Sequence, residues 1–161
     1  MCSSDLMAFL LQASPVVFYT CDPNGSLPII FVSPNIEKIF GYRPENITGA
    51  NAFWPRHIHP DDIERVQMSR AQVSKGDHDE LEYRLKMPDG SYRWIADHRE
   101  TVKDDDGKPT LMVGCWSDIH DRKVAEETLA EKQEHLRISL KYAKLMTWEW
   151  HINSGEITWF G

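Results

Sequence analysis

The sequence predicts an α+β domain followed by a long helix, and three observations carry that reading. Residues 78–87, HDELEYRLKM, alternate strictly: Leu81, Tyr83, Leu85 and Met87 point one way and Glu80, Glu82, Arg84 and Lys86 the other, the period of a half-buried strand. Strand-like runs come as a pair near the start and as three in succession later, with short helical patterns between them. After Asp121 the chain changes to a segment rich in Ala, Glu, Lys and Leu, with Leu129, Leu136 and Ala143 seven apart.

In order along the chain, Leu6, Leu10 and Ala13 have the spacing of a short amphipathic helix that Pro15 closes. VVFYTCDPNG ends in a turn signal at Asp22, Pro23, Asn24 and Gly25, and PIIFVS follows, so two strands joined by a turn are expected. PNIEKIFGY places Ile36, Ile39 and Phe40 on one helical face and stops at Gly41, while PENITG suits a single turn. A longer helix is expected from about Pro60 to Val73. Pro60 suits its first turn, Asp61 and Asp62 suit its positive end, and Gly76 lies just past its close. Ile63, Val66, Arg70 and Val73 mark its inward face. Pro88, Asp89 and Gly90 turn the third strand into SYRWIADHRETVKD, and DDDGK turns that into PTLMVGCWSDI. This last strand is apolar on both faces, with Leu111, Val113 and Cys115 opposite Met112 and Trp116, which predicts a central place in the sheet. The helix that follows, from about Arg122 to Ala143, has a short coiled-coil-like seam completed by Ala125 and interrupted by Lys132.

Composition excludes several classes of function. The 161 residues have room for one domain with a real core and not for two average ones, and 41% hydrophobic with 27% charged residues is ordinary for a folded domain. A net charge of −7, with basic residues scattered, makes nucleic acid and anionic membrane poor partners. No stretch reaches the roughly 18 apolar residues of a membrane span, and MCSSDL has neither the basic end nor the apolar core of a signal peptide, so a cytoplasmic setting is expected. Cys2, Cys21 and Cys115 are odd in number and far apart, and suggest no disulfide or zinc framework. Gly25, Gly41, Gly49, Gly76 and Gly90 each close or turn an element, so no phosphate loop and no catalytic site are expected in this segment. His57, His59, Asp61 and Asp62 form the one dense cluster of metal-ligating types. It lacks a third, well-separated ligand, and helix capping is the simpler reading.

The tail repeats the start. At an offset of 130, Leu6, Leu10, Ala13 and Gly25 meet Leu136, Leu140, Ala143 and Gly155, and Val16 and Phe18 meet Met146 and Trp148. An amphipathic helix thus runs into an aromatic strand and a turn in both places, which predicts a repeated module whose second copy begins near residue 143.

The pieces FVSPNIEKIFGYRPENI, HIHPDDIERV, EYRLKMPDGSYRWI and VGCWSDIHDRKVAEETL, in this order and spacing, resemble a PAS domain of the fold-3 type over about Ala13 to Leu129. The resemblance implies a five-stranded antiparallel sheet with short helices packed across one side and a linker helix behind it. It divides the chain into a lead-in helix (1–12), a PAS domain (13–121), a linker or signal helix (122–142) and the truncated start of a second PAS domain (143–161). SDIHDRK resembles the family's D-I-T-E/D-R motif, which implies signal coupling at Asp118 and Arg122, with His120 in place of the usual threonine. HPDD commonly opens the long helix in this subgroup. Haem-binding members carry a histidine on that helix and photochemical flavin members a cysteine near the short helices. This chain has no histidine from Asp61 to Asp77, and Asn51, Ala52, Phe53 and Trp54 at the latter place, so neither cofactor is expected.

An uncoloured small-molecule ligand remains open, with Phe18, Phe31, Phe40, Phe53, Tyr83, Trp94 and Cys115 as pocket candidates beside Ile39 and Val113; the same side chains could equally fill the core. Implied partners are a second copy, through the helices or the sheet face, and a downstream output domain on the same chain. The implied parent is a bacterial sensor histidine kinase, with a diguanylate cyclase or phosphodiesterase, or a ligand-free dimerisation spacer, as alternatives.

Overall fold

The first 118 residues alternate β-branched and aromatic runs with turn residues and short helices, and these runs pair into one antiparallel sheet. The computed structural model describes residues 3–23, 28–48, 53–73, 78–142 and 147–160, with the side chains of 3, 4, 54, 55, 70–73, 147 and 160 left aside. The expectations for Cys2, the Asn24–Gly25 turn, Gly49, Asn51, Ala52, Gly76, Ala143 and Met146, and for the side chains of Trp54, Arg70 and Val73, lie outside the described residues.

Strands β1 (Val17–Cys21), β2 (Ile29–Val32), β3 (Asp79–Lys86), β4 (Tyr92–Lys103) and β5 (Pro109–Asp118) form a five-stranded sheet in the order β2-β1-β5-β4-β3. Every pairing is antiparallel. β5 occupies the centre, as its two apolar faces predict: Met112 and Trp116 enter the core, and Leu111, Val113 and Cys115 are half-buried on the other side. The fold is therefore α+β, with α1 (Ser3–Ala13) ahead of the sheet and α2 (Ile36–Phe40), α3 (Phe53–His57) and α4 (Ile63–Val73) between β2 and β3. The expected long helix starts as a 3-10 turn over Pro60–Asp62 and continues as α4, because proline leaves the first turn free to tighten. Val66 faces the core as expected and Ile63 packs against it in part.

Phe40, Phe53 and Val66 on the helices meet Tyr19, Tyr83, Leu85, Ile95 and Trp116 on the sheet. Burying each such side chain stabilises the fold by at most about 1.5–3 kcal/mol. Two local devices set the helix entry. Ser33 Oγ accepts from the Phe18 amide at 2.8 Å and donates to Asn35 at 2.6 Å, and Asn35 in turn donates to the carbonyls of Ser14 and Val16, at 3.0 and 2.7 Å. The SPN step thereby ties the first strand to the start of α2. Gly41 closes α2 at φ 74°, donating to the Glu37 carbonyl, a left-handed position that a side chain would strain.

The chain divides into two compact units, Met1–His120 and Asp121–Gly161. The helix α5 (His120–Tyr142) has no buried residue over its 23 positions, and Leu129 and Leu136 stand exposed along it. It is followed by an antiparallel hairpin of β6 (Thr147–His151) and β7 (Glu156–Phe160), turning at Gly155 with φ 73°. The bounds of β6 are those of β1 shifted by 130 residues.

Candidate functional site

Three polar constructions stand out against the apolar core. The first is inside it. β4 runs IADHR, and its inward positions are Ile95, Asp97 and Arg99, so a carboxylate and a guanidinium enter the core at 2% and 4% exposure. Asp97 accepts hydrogen bonds from Tyr19 Oη at 2.6 Å and Tyr83 Oη at 3.1 Å, and Arg99 Nε lies 3.6 Å from it. Arg99 Nη2 donates to Asp79 at 2.6 Å and also to Ser69 on α4, which donates in turn to Asp79. Gly114 makes this arrangement fit: a Cβ there would lie 2.5 Å from Tyr19 Cζ. The Tyr19 ring therefore lies over bare backbone, stacked on Trp116 with centroids 4.3 Å apart, and points its hydroxyl at Asp97. Burial pushes the Asp97 carboxyl up against the pull of Arg99 and the two tyrosines, and burial together with the Asp97 charge holds Tyr19 well above the ordinary phenol. A small space of about 10 Å³ adjoins the cluster, lined by Tyr19, Cys21, Val66, Tyr83, Asp97, Arg99 and Met112. That is room for about one water molecule.

The second construction is the HPDD segment, which closes the free edge of β3. Ile58 bridges Leu85, the His59 amide donates to the Arg84 carbonyl at 2.9 Å, and the Arg84 amide donates to Asp62 Oδ2 at 3.0 Å. Arg84 Nε reaches the same Asp62 oxygen at 2.9 Å and Arg65 reaches the other at 3.2 Å. Burial pushes Asp62 up, but the bonds from Arg84 and Arg65 outweigh it and hold this carboxyl below the ordinary range. His59 Nδ1 accepts from the Asp61 amide, a helix-start cap. Among the described residues no group of three or more His, Cys, Asp or Glu is arranged to hold a metal ion. An edge that would otherwise offer unpaired backbone groups is thereby covered.

The third lies where β5 leaves the sheet. Asp118 Oδ2 accepts from Arg93 Nε on β4 at 2.8 Å, while its Oδ1 accepts from the His120 amide at 3.0 Å, and the Ile119 amide donates to the Trp94 carbonyl at 3.0 Å. One carboxylate thus holds strand β4 and the first residue of α5 together. Arg122, the other expected coupling residue, pairs with Glu126 one turn along its own helix, at 3.0 Å. Arg93 escaped the sequence reading because a strand arginine beside tryptophan gives no hint of a partner 25 residues away.

The aromatic pocket candidates are not brought to one place. Phe40, Phe53 and Tyr83 are buried in the core under the helices. Phe18 and Phe31 stand 39% and 41% exposed on the opposite face of the sheet. Trp94 and Cys115, with Val113, belong to that outer face as well and are half-buried; Arg84 packs over the Trp94 ring at 5.3 Å. The correction has a simple cause. VVFYTC is apolar or aromatic at nearly every position, so its alternation has two solutions, and pairing with β5 selects the one with Val17, Tyr19 and Cys21 inward.

Comparison with known proteins agrees with this geometry. The family model for the PAS fold matches residues 29–115. The chain is similar to the methyl sulfide methyltransferase-associated sensor of Methanosarcina acetivorans, 32% identical over 132 residues, which are 79% of this chain and 13% of that protein. The solved structure of a sensory box histidine kinase/response regulator from Burkholderia thailandensis is 28% identical with a TM-score of 0.63, covering 81% of this chain and 97% of that one. That of the N-terminal domain of a diguanylate cyclase with PAS/PAC sensor from Marinobacter aquaeolei is 26% identical with a TM-score of 0.60, covering 67% and 98%. The chain spans 13–16% of the length of the curated relatives it matches first.

Proposed function

This chain belongs to the PAS fold family, and from that premise we propose that it is a sensory module that works mechanically, relaying changes in its sheet to helix α5 through Asp118. The observation that carries the reading is the double use of the Asp118 carboxylate, by Arg93 of β4 and by the His120 amide at the helix start. A shift of β4 against β5 changes one bond or the other, and two arrangements of the junction suffice for a switch. Helix α5 exposes Leu129 and Leu136 seven residues apart, which supports a paired helix in a homodimer. The match of β6 to β1 at an offset of 130 supports a second PAS domain beginning near residue 143.

The parent protein is read as a cytoplasmic, or membrane-attached, sensor histidine kinase with its output domain on the same chain, on the likeness to the Burkholderia protein. The likeness to the Marinobacter domain supports a diguanylate cyclase as the second reading. Among the described residues no helix is long and apolar enough to cross a membrane. The small size of the space beside the Asp97 cluster favours a packed core over an organic ligand there. The relay is tested by hydrogen exchange on the whole chain. Arg93→Gln and Asp118→Asn each speed exchange over the first two turns of α5 while the centre of the sheet stays protected. Unchanged exchange in α5 would sink the relay.

A further inference from the structure

A buried carboxylate, a buried guanidinium and two phenols meet where one helix is tied to the sheet, and nothing in the relay described above uses them. The ionised groups do not balance. Arg99 carries one positive charge and faces two carboxylates, Asp97 at 3.6 Å and Asp79 at 2.6 Å, so among the described residues these three groups together carry one net negative charge when all are ionised. A proton on a carboxylate lowers that charge without needing any cavity. Its entry side is Asp79, whose side chain is 22% exposed, while Asp97 is sealed at 3%.

We propose that the Asp97–Arg99 cluster is a proton-binding site that latches α4 to the sheet, and that protons are the class of signal this module registers. Uptake is balanced simply: a proton from solvent bonds to an Asp97 oxygen, the carboxylate becomes a neutral acid, and the set of Asp97, Arg99 and Asp79 goes from one net negative charge to none. Two consequences follow from the geometry. Asp97 now has an O–H to donate, so it cannot keep accepting from both phenols unchanged, and Tyr19 or Tyr83 must turn its hydroxyl. Arg99 loses one of its counter-charges and settles on Asp79 and Ser69, which is the tie to α4. The change reaches the exit of the sheet by a short path: Asp97 pairs with Trp116 and Ile95 with Asp118 across the β4–β5 ladder.

Among the described residues, each element packed on the cluster contributes a group that feels this charge. β1 supplies Tyr19, β3 Tyr83 and Asp79, β4 Arg99, α4 Ser69, and β5 the Trp116 indole together with the Cys115 thiol behind it. Burial favours the neutral form of Asp97 and the hydrogen bonds favour the charged form, with burial prevailing.

The inference rests on the sensory reading only for the use to which the proton is put. The test is a pH titration of the whole chain by NMR, following the Asp97 carboxyl carbon and the amides of Tyr19, Ser69, Trp116 and His120. The expected result is one shared midpoint above the ordinary aspartate value of about 3.9, absent in Asp97→Asn and kept in His98→Gln, which removes the histidine next along β4. An Asp97 carboxyl that stays charged until the protein unfolds, or a Ser69 transition that persists in Asp97→Asn, overturns the proposal. Should Asp97→Asn not fold, Tyr83→Phe serves: it removes one bond to the charged form and raises the midpoint, and an unmoved midpoint overturns the proposal equally. A transition that reaches Ser69 and Trp116 but leaves His120 still supports the latch and sinks the relay alone.

Discussion

Arg99 and Arg84 each hold an aspartate in the same domain, one in the core and one at an edge of the sheet, and the two pairs do different work. Arg84 is 27% exposed and meets an Asp62 that accepts four bonds from two arginines, so the carboxylate is over-supplied and its charged form is favoured. Arg99 is 2% exposed and meets an Asp97 whose other partners are neutral, the Tyr19 and Tyr83 hydroxyls and the Trp116 indole, so burial decides and the shift is towards the neutral form. The same two chemical groups thus make a clasp in one place and a titratable site in the other. Solvent and the number of cationic donors make the difference.

The largest effect separating them is truncation of the cation. Arg99→Met leaves Asp97 buried without its guanidinium and is expected to cost about 3–5 kcal/mol by denaturant unfolding at neutral pH. A loss under about 1 kcal/mol would show that the tyrosines alone satisfy Asp97. Next in size is Gly114→Ala, whose Cβ would sit 2.5 Å from the Tyr19 ring. Displacing that ring is expected to cost about 1–3 kcal/mol, and the Tyr19–Trp116 stack should be lost from the near-ultraviolet circular dichroism. Wild-type stability and spectrum would mean the ring has room that the structure does not show. Arg84→Met removes a half-wet partner and leaves Asp62 with Arg65 and the Arg84 backbone amide, so about 1–2 kcal/mol is expected, with faster hydrogen exchange confined to β3.

The smallest effect is on the slope of stability with pH, and its signs are opposed. The lowered Asp62 contributes stability that is present above its unfolded value and is lost as pH falls through its folded one. The raised Asp97 contributes stability that is full below its unfolded value and is lost as pH rises through its folded one. Asp62→Asn should therefore blunt acid destabilisation, and Asp97→Asn should remove a loss of stability on the rise towards neutral pH. Equal pH profiles for the two variants would erase the distinction drawn between the pairs.

Several features were legible before any fold was known. The alternation of HDELEYRLKM placed Tyr83, Leu85 and Met87 in the core, and the two apolar faces of PTLMVGCWSDI placed β5 at the centre of the sheet. Asp118 was legible through its motif, but its partner Arg93 was not, because the pairing depends on the register of β4 against β5. The phase of VVFYTC, and with it the place of Phe18, is open in the sequence for the same kind of reason, since both of its faces are apolar and only the neighbouring strand distinguishes them. Asp97 and Arg99 left a faint signal: they fall at the inward phase of a strand in which Ile95 also points inward, where polar residues are costly unless paired. Gly114 gives no sequence signal beyond one small residue in an apolar strand; its role depends on the tyrosine ring above it.

The sequence by itself determined the order of strands and helices, the central strand and the exit into a long helix, because hydrophobic period and turn chemistry are local and survive without a partner. Only the tertiary structure decided which face of β1 is inside, which arginine meets which aspartate, and how dry each meeting is. Those depend on strand register and on distance from water, quantities that exist only once residues far apart in the chain have come together.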